Sequence, residues 1–245
     1  KNEKQITFET AYLMAKLGVP ASEVEAFILS RNTDRDDITV ELARAYNHQG
    51  KPDEALSLLL GRKFVACEGG EHYIADQYMY AYYLKGKQAY LDGDYERALG
   101  YFETAQVLPQ SLGSGLWNDI KKVPYEYFAA RCLEKLGRAD EARVIYASFG
   151  KYKFDYFTDM YLYTFAYYAA RGREALGDKV AGDALISKRA AEFSNAAAQQ
   201  TLGYFGTTPF FISFIDEPAE ARALHYAYPL YLFATYLGDG DARAR

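Results

Sequence analysis

The chain has 245 residues, with 50% apolar and 25% charged side chains and a net charge of −5. That is enough apolar material for a sizeable core and excludes a disordered chain, while a mildly acidic balance argues against binding driven by nucleic-acid phosphates. Two cysteines, Cys67 and Cys132, cannot frame a disulfide scaffold or a zinc ribbon, and point to a reducing, cytoplasmic setting. Aromatics reach 16%, dominated by 24 tyrosines.

In chain order, Lys1 to Gln5 has no apolar stretch of the kind a secretory signal needs, and no Met begins the sequence. The expectation is a processed chain or an excised piece of something longer. Phe8–Leu17, then Gly18-Val19-Pro20, then Ser22–Ser30 reads as a degenerate helical hairpin, its second helix opened by a Ser22/Glu25 capping box. We take residues 1–35 as a capping hairpin. Residues 36–245 then carry similar turns at Gly50-Lys51-Pro52-Asp53, Gly93-Asp94, Gly137-Arg138-Ala139-Asp140, Gly177-Asp178 and Gly238-Asp239. Each follows a stretch of helical period. The glycine supplies the left-handed residue that ends one helix, and the nearby Asp can cap the next. The first four are spaced by about 40 to 44 residues, a repeat period, so cap and repeats are expected to form one domain. Three connectors, Gly61 to Tyr73, Val107 to Lys122 and Thr201 to Pro218, are too long for plain turns. No β period stands out; Thr207–Ile215 reads as a packed loop, with Phe210, Phe211 and Phe214 as an apolar plug. No segment has the length of apolar sequence that a membrane helix needs.

The residues around the turns have a pattern of their own. Gly86, Ala89, Ala98, Phe102, Ala105 and Pro109 surround Gly93. Ala43, Tyr46, Ala55 and Leu59 surround Gly50, and Ala130, Leu133, Ala142 and Tyr146 surround Gly137. Ala170, Arg173, Gly182 and Ile186 fit less well around Gly177, and Tyr231 and Ala234 precede Gly238. Small residues let paired helices touch, and the larger ones plug the gap to the next hairpin. This pattern resembles the tetratricopeptide repeat, which implies an all-α, right-handed superhelix (α-solenoid) of helical hairpins.

The connectors carry a second likeness. Phe64-Val65-Ala66-Cys67-Glu68-Gly69-Gly70-Glu71, Leu112-Gly113-Ser114-Gly115 and Tyr204-Phe205-Gly206-Thr207-Thr208-Pro209 resemble loops of a family of uncharacterised bacterial tetratricopeptide proteins. The likeness spans roughly residues 38 to 242, departs where Cys67 stands for the family's Trp, and matches the N-terminal hairpin poorly. It implies a C-terminal helical region that follows a β-sandwich similar to sugar-binding, mutarotase-like domains.

In tetratricopeptide proteins the groove-facing positions lie about ten, six and three residues before the turn glycine. Counted so, Val40, Tyr83, Tyr127, Tyr167 and Tyr228 form one row, and Arg44, Lys87, Arg131, Arg171 and Leu232 a second. Asn47, Tyr90, Glu134, Glu174 and Thr235 form a third, and Tyr80 joins the aromatic row. Glu134 and Glu174 are expected to meet Arg131 and Arg171 across the groove rather than along one helix. Tyrosines give rigid area with a polar tip and guanidinium groups give forks, which suits a binding groove. Two other readings stand beside it: a groove filled by the connectors, and exposed basic residues with tyrosines packed along the stack. The chaperone-tail clamp of some tetratricopeptide domains is not matched, Asn47 being the one Asn in position.

Chemistry finds little support. His48, His72 and His225 form no metal-binding pair, and Cys67 with Glu68, Glu71 and His72 reads more simply as a tight loop. There is no Gly-x-Ser-x-Gly nucleophile turn and no phosphate cradle at Gly69-Gly70. The acidic pairs Asp92/Asp94, Glu68/Glu71 and Asp216/Glu217 read as caps and solvated turns rather than a glycosidase pair. The expectation is therefore a non-enzymatic interaction module without cofactor or metal. It would hold a protein or peptide segment, or its own missing N-terminal domain, against Arg44, Tyr80, Tyr83, Lys87, Tyr90, Tyr127, Arg131, Tyr167 and Arg171. The alternative is the accessory helical half of a carbohydrate-acting or carbohydrate-binding protein, with the loop Glu68, Gly69, Gly70 and Glu71 completing its site.

Overall fold

Helix is favoured wherever the apolar residues recur at the helical period and a glycine stands ready to end the run. The computed structural model describes residues 2–31, 34–65, 71–116, 118–198 and 218–238. Among these every regular element is helical and no strand occurs. The α-helices are α1 (Asn2–Lys16), α2 (Ala21–Leu29), α3 (Asp36–His48), α4 (Pro52–Leu60), α5 (Glu71–Leu91), α6 (Tyr95–Ala105), α7 (Val123–Lys135), α8 (Ala139–Ser148), α9 (Tyr156–Leu162), α10 (Phe165–Ala175), α11 (Lys179–Ala198) and α12 (Pro218–Leu237). Short 3-10 helices occupy Gln110–Leu112, Asp119–Lys122 and Phe149–Lys151. No described helix is long and apolar enough to cross a membrane.

Gly50, Gly93, Gly137, Gly177 and Gly238 all have φ between 70° and 92°. At the first four the backbone closes in the same way. The N–H of the residue after the glycine donates back to a carbonyl five residues earlier: Lys51 to Tyr46 and Asp94 to Ala89 at 2.9 Å, Arg138 to Leu133 and Asp178 to Arg173 at 2.8 Å. These bonds satisfy carbonyls that the helix end would leave bare. Capping of the following helix is less uniform than expected. Asp94 and Asp178 accept from Arg97 N and Ala181 N at 3.1 Å. After Gly50, however, Pro52 starts α4 and Asp53 pairs with Lys85 of α5. After Gly137, Arg138 grips Glu141 with two bonds of 2.7 and 2.8 Å. The Ser22/Glu25 capping box does not form either. Pro20 is the cap residue of α2, with no side-chain bond, so Ser22 already lies inside the helix. Glu25 instead accepts from Gln49 Nε2 at 2.6 Å and Lys51 Nζ at 3.0 Å, and these bonds hold its carboxyl below the usual range.

The chain divides into two compact units, Lys1–Ala142 and Arg143–Arg245, a division the sequence reading does not mark. In the first, α1 pairs with α2, α3 with α4 and α5 with α6, and each pair also packs on the next helix in sequence: α2 on α3, α4 on α5, α6 on α7. The first core cluster joins Ala11 of α1, Val24 and Ile28 of α2, and Ile38 and Leu42 of α3. The second joins Ala43, Ala55 and Leu59 to Met79 and Ala81, and draws in Phe64 and Leu112 from the two long connectors. Phe64 N donates to Ser111 O at 2.8 Å, so these connectors are in part core structure. In the second unit α10 packs on α11 and α11 on α12, around Ala170, Ile186, Phe193 and Phe233.

The small-residue positions lie at the helix crossings. Ala43, Ala55, Ala89, Ala98, Ala130, Ala142 and Ala170 are all buried. A Cβ added to Gly86 would stand 2.7 Å from the ring of Phe102, itself fully buried. One added to Gly182 would meet the Ala170 carbonyl at 3.1 Å and the Tyr236 hydroxyl. Gly100, one helix on, faces open space. Gly86→Ala is therefore expected to cost about 1–3 kcal/mol by overpacking, despite alanine's better helix propensity. Gly100→Ala should be neutral or stabilising by up to about 1 kcal/mol. Urea melts of both variants check this, and equal behaviour of the two would remove the close-approach account.

Candidate groove and its aromatic ladder

The first unit brings most of the groove positions together. Tyr80 and Tyr83 sit one turn apart on α5, their rings stacked at 6.0 Å with 12° between planes. Residues at i and i+3 share a helix face, so this pair follows from spacing alone. Tyr80 also meets His48 of α3 at 6.3 Å. On the other side Tyr83 meets Phe128 of α7 at 5.5 Å, and Phe128 meets its neighbour Tyr127 at 5.3 Å. A continuous ladder of rings thus crosses three helices from successive hairpins. Phe102 backs it from α6, stacked on Phe128 at 5.5 Å.

The ladder is not uniformly open. Tyr80 is 36% exposed, whereas Tyr127 is 6% exposed and belongs to the core. Val40 is likewise buried, packed beside Ala43 and Ala55, and Asn47 is buried too. The Nδ2 of Asn47 donates at 3.0 Å to both the backbone oxygen and the side-chain oxygen of Gln77, tying α3 to α5. Counting back from the turn glycine therefore places Val40, Asn47 and Tyr127 on the groove, whereas all three are buried. Lys87 is exposed and makes no ion pair or hydrogen bond among the described residues. Tyr90 is half-buried and meets Tyr95 of α6 edge-on at 5.2 Å.

The basic positions also differ from expectation. Arg131 pairs with Glu134 at 3.0 Å and Arg171 with Glu174 at 2.6 Å, each along its own helix. Three residues along a helix bring side chains to one face, so the acids neutralise their own arginines and need no partner across a groove. Arg131 also approaches the Tyr127 hydroxyl at 3.4 Å. Arg44 pairs with Glu41, three residues before it, at 3.4 Å. In the second unit Tyr167 is half-buried against the core cluster there, and Arg171 lies over the Tyr236 ring at 5.9 Å. Tyr228 is exposed.

Several groups near these positions were not singled out from the sequence. Glu41 lies on the same helix face as Arg44 and is buried, and that burial raises its pKa above the usual carboxylate value against the pull of Arg44 and Lys16. The i, i+3 relation to Arg44 was a signal available in the sequence. Lys121, in the connector after α6, donates to both oxygens of Asp76 of α5 at 2.6 and 2.9 Å. Nothing in local sequence announces that pair, because it joins residues far apart in the chain. Tyr125, close to Asp76, Tyr83 and Tyr80, has its pKa raised by burial.

Cys132 is free and buried, its thiol pushed up to about 12 by desolvation, which makes it a poor nucleophile. Among the described residues no group of His, Cys, Asp and Glu side chains is placed to hold a metal ion. Glu68, Gly69 and Gly70 lie outside the described residues, as does the aromatic plug around Phe210, and Glu71 is described only as the first residue of α5. A scan against models of known protein families finds no match, and no curated protein matches at a significant level.

Asn47→Ala should destabilise the protein by about 1–3 kcal/mol, since it leaves the acceptors on Gln77 without their donor. Lys87→Ala, on an exposed side chain, should stay within about 0.5 kcal/mol of the parent. Chemical denaturation of the two variants checks both, and a large loss at Lys87 would mean that the exposed edge carries structure.

Proposed function

We propose that the chain is a non-enzymatic, tetratricopeptide-like interaction module, its hairpins stacked as a right-handed superhelix, that holds an extended protein or peptide segment. The observation that carries this reading is the ladder His48–Tyr80–Tyr83–Phe128, which runs across α3, α5 and α7 with the exposed Lys87 beside it. Ring faces backed by a rigid core contribute contact area at low entropic cost, and tyrosine is enriched at the residues that dominate interface energy. A row of rings on successive helices suits an elongated ligand better than a compact one. Arg131 contributes through its outer nitrogens, since Glu134 already neutralises its charge; Lys87 supplies the uncompensated one.

The test is selection from a random peptide library displayed on phage, with the full chain as bait, followed by affinity measurement on the selected peptides. Tyr80→Ser combined with Lys87→Glu should weaken the selected peptides about tenfold or more, with the melting temperature little changed. Failure to select any peptide, or selected peptides indifferent to both substitutions, would refute the groove.

A further inference from the structure

Charged groups that are taken out of water in a folded chain normally find hydrogen bonds, because leaving them bare is costly. The cleft between the α1–α2 turn and α3 departs from that rule. It is an open cleft of about 540 Å³, with Val19, Pro20 and Val24 on its apolar wall and Lys16, Glu41, Arg44 and His48 as its polar groups. The Glu41 side chain is 8% exposed, and its Oε2 has no hydrogen-bond partner. The ion pair to Arg44, at 3.4 Å, is longer than a charge-assisted hydrogen bond. The Arg44 side chain is 20% exposed, yet none of its donors is used in a hydrogen bond among the described residues. Lys16 and His48 make none there either: Lys16 lies over the Tyr12 ring at 5.3 Å, and His48 rests against Tyr80.

The charged groups of the cleft have a definite polarity. Arg44 and Lys16 offer donors and positive charge; Glu41 offers an acceptor and negative charge. A simple anion would satisfy the two bases but leave Glu41 bare and face its charge. A simple cation would meet Arg44 and Lys16. A ligand with both signs a bond or two apart satisfies all three. We propose that this cleft binds a free α-amino acid, its carboxylate held by Arg44 and Lys16, its ammonium by Glu41, and its side chain against Val19, Pro20 and Val24. The guanidinium fork matches carboxylate geometry, and the cleft's volume lies within the range of small-molecule sites. Burial raises the pKa of Glu41, and an incoming ammonium supplies a cation that favours its ionised form. Burial and Arg44 lower the pKa of His48, which leaves its ring neutral at the cleft's rim near neutral pH. The site does not depend on the peptide groove, with which it shares Arg44 and His48.

Calorimetric titration of the full chain with each common L-amino acid in turn tests the proposal, followed by the N-acetyl and amide derivatives of whichever binds. Saturable binding of at least one apolar amino acid is expected, weakened about tenfold or more by either derivatisation. Arg44→Gln and Lys16→Gln should each produce a loss of similar size. Lys16 is exposed, so its variant reports on binding even if the Arg44 variant folds poorly. The proposal is overturned if no amino acid binds, if binding survives both substitutions, or if the N-acetyl derivative binds as well as the parent, which would assign a plain carboxylate site.

Discussion

The close approach of paired helices is the constraint on which the rest depends. Where Gly86 faces the Phe102 ring, or Ala43 and Ala55 lie fully buried in one cluster, the backbones come near enough that a methyl group more would have to be accommodated by movement. The left-handed glycine at each turn directs the chain into the antiparallel return. Neither feature is sufficient alone. A tight turn without small residues would splay the pair, and small residues without the turn would leave the crossing unregistered.

Registration of this kind decides which side chains reach solvent. On α5, Tyr78, Met79 and Ala81 pack into the core while Tyr80 and Lys87 emerge. The same helix is therefore rich in tyrosine on both sides, for different reasons: Tyr78 donates to the Val107 carbonyl at 3.2 Å and braces a connector, whereas Tyr80 presents a ring face. The aromatic richness of the chain is thus divided between holding helices together and lining a surface. The inner rings of the ladder pack against the outer ones and hold them in place.

Much of the fold was legible in the sequence, because turn glycines and buried small residues act locally and leave a pattern at fixed spacing. Gly50, Gly93, Gly137 and Gly177 each stand where the chain turns, and the paired alanines lie at crossings. The candidate site was less legible. A register counted from one glycine takes no account of the next hairpin, which packs over Val40 and engages Asn47. Three residues along a helix is a neighbour distance, so Arg131 and Arg171 pair with Glu134 and Glu174 on their own helices rather than across a groove. Glu25 shows why cap motifs mislead: the Ser–Glu spacing was present, but Pro20 took the cap position and the carboxylate served another element. The Lys121–Asp76 pair lies beyond any local pattern.

The central claim is that α3 and α5 present one shared face, with position 48 beside position 80. Paired cysteines at His48→Cys and Tyr80→Cys, in a background with Cys67 and Cys132 replaced by serine, test it most directly. A short bifunctional thiol cross-linker should join the two within one chain and leave the helical circular dichroism intact. Failure to join them, while a control pair of cysteines at Asp53 and Lys85 is joined, would contradict the shared face.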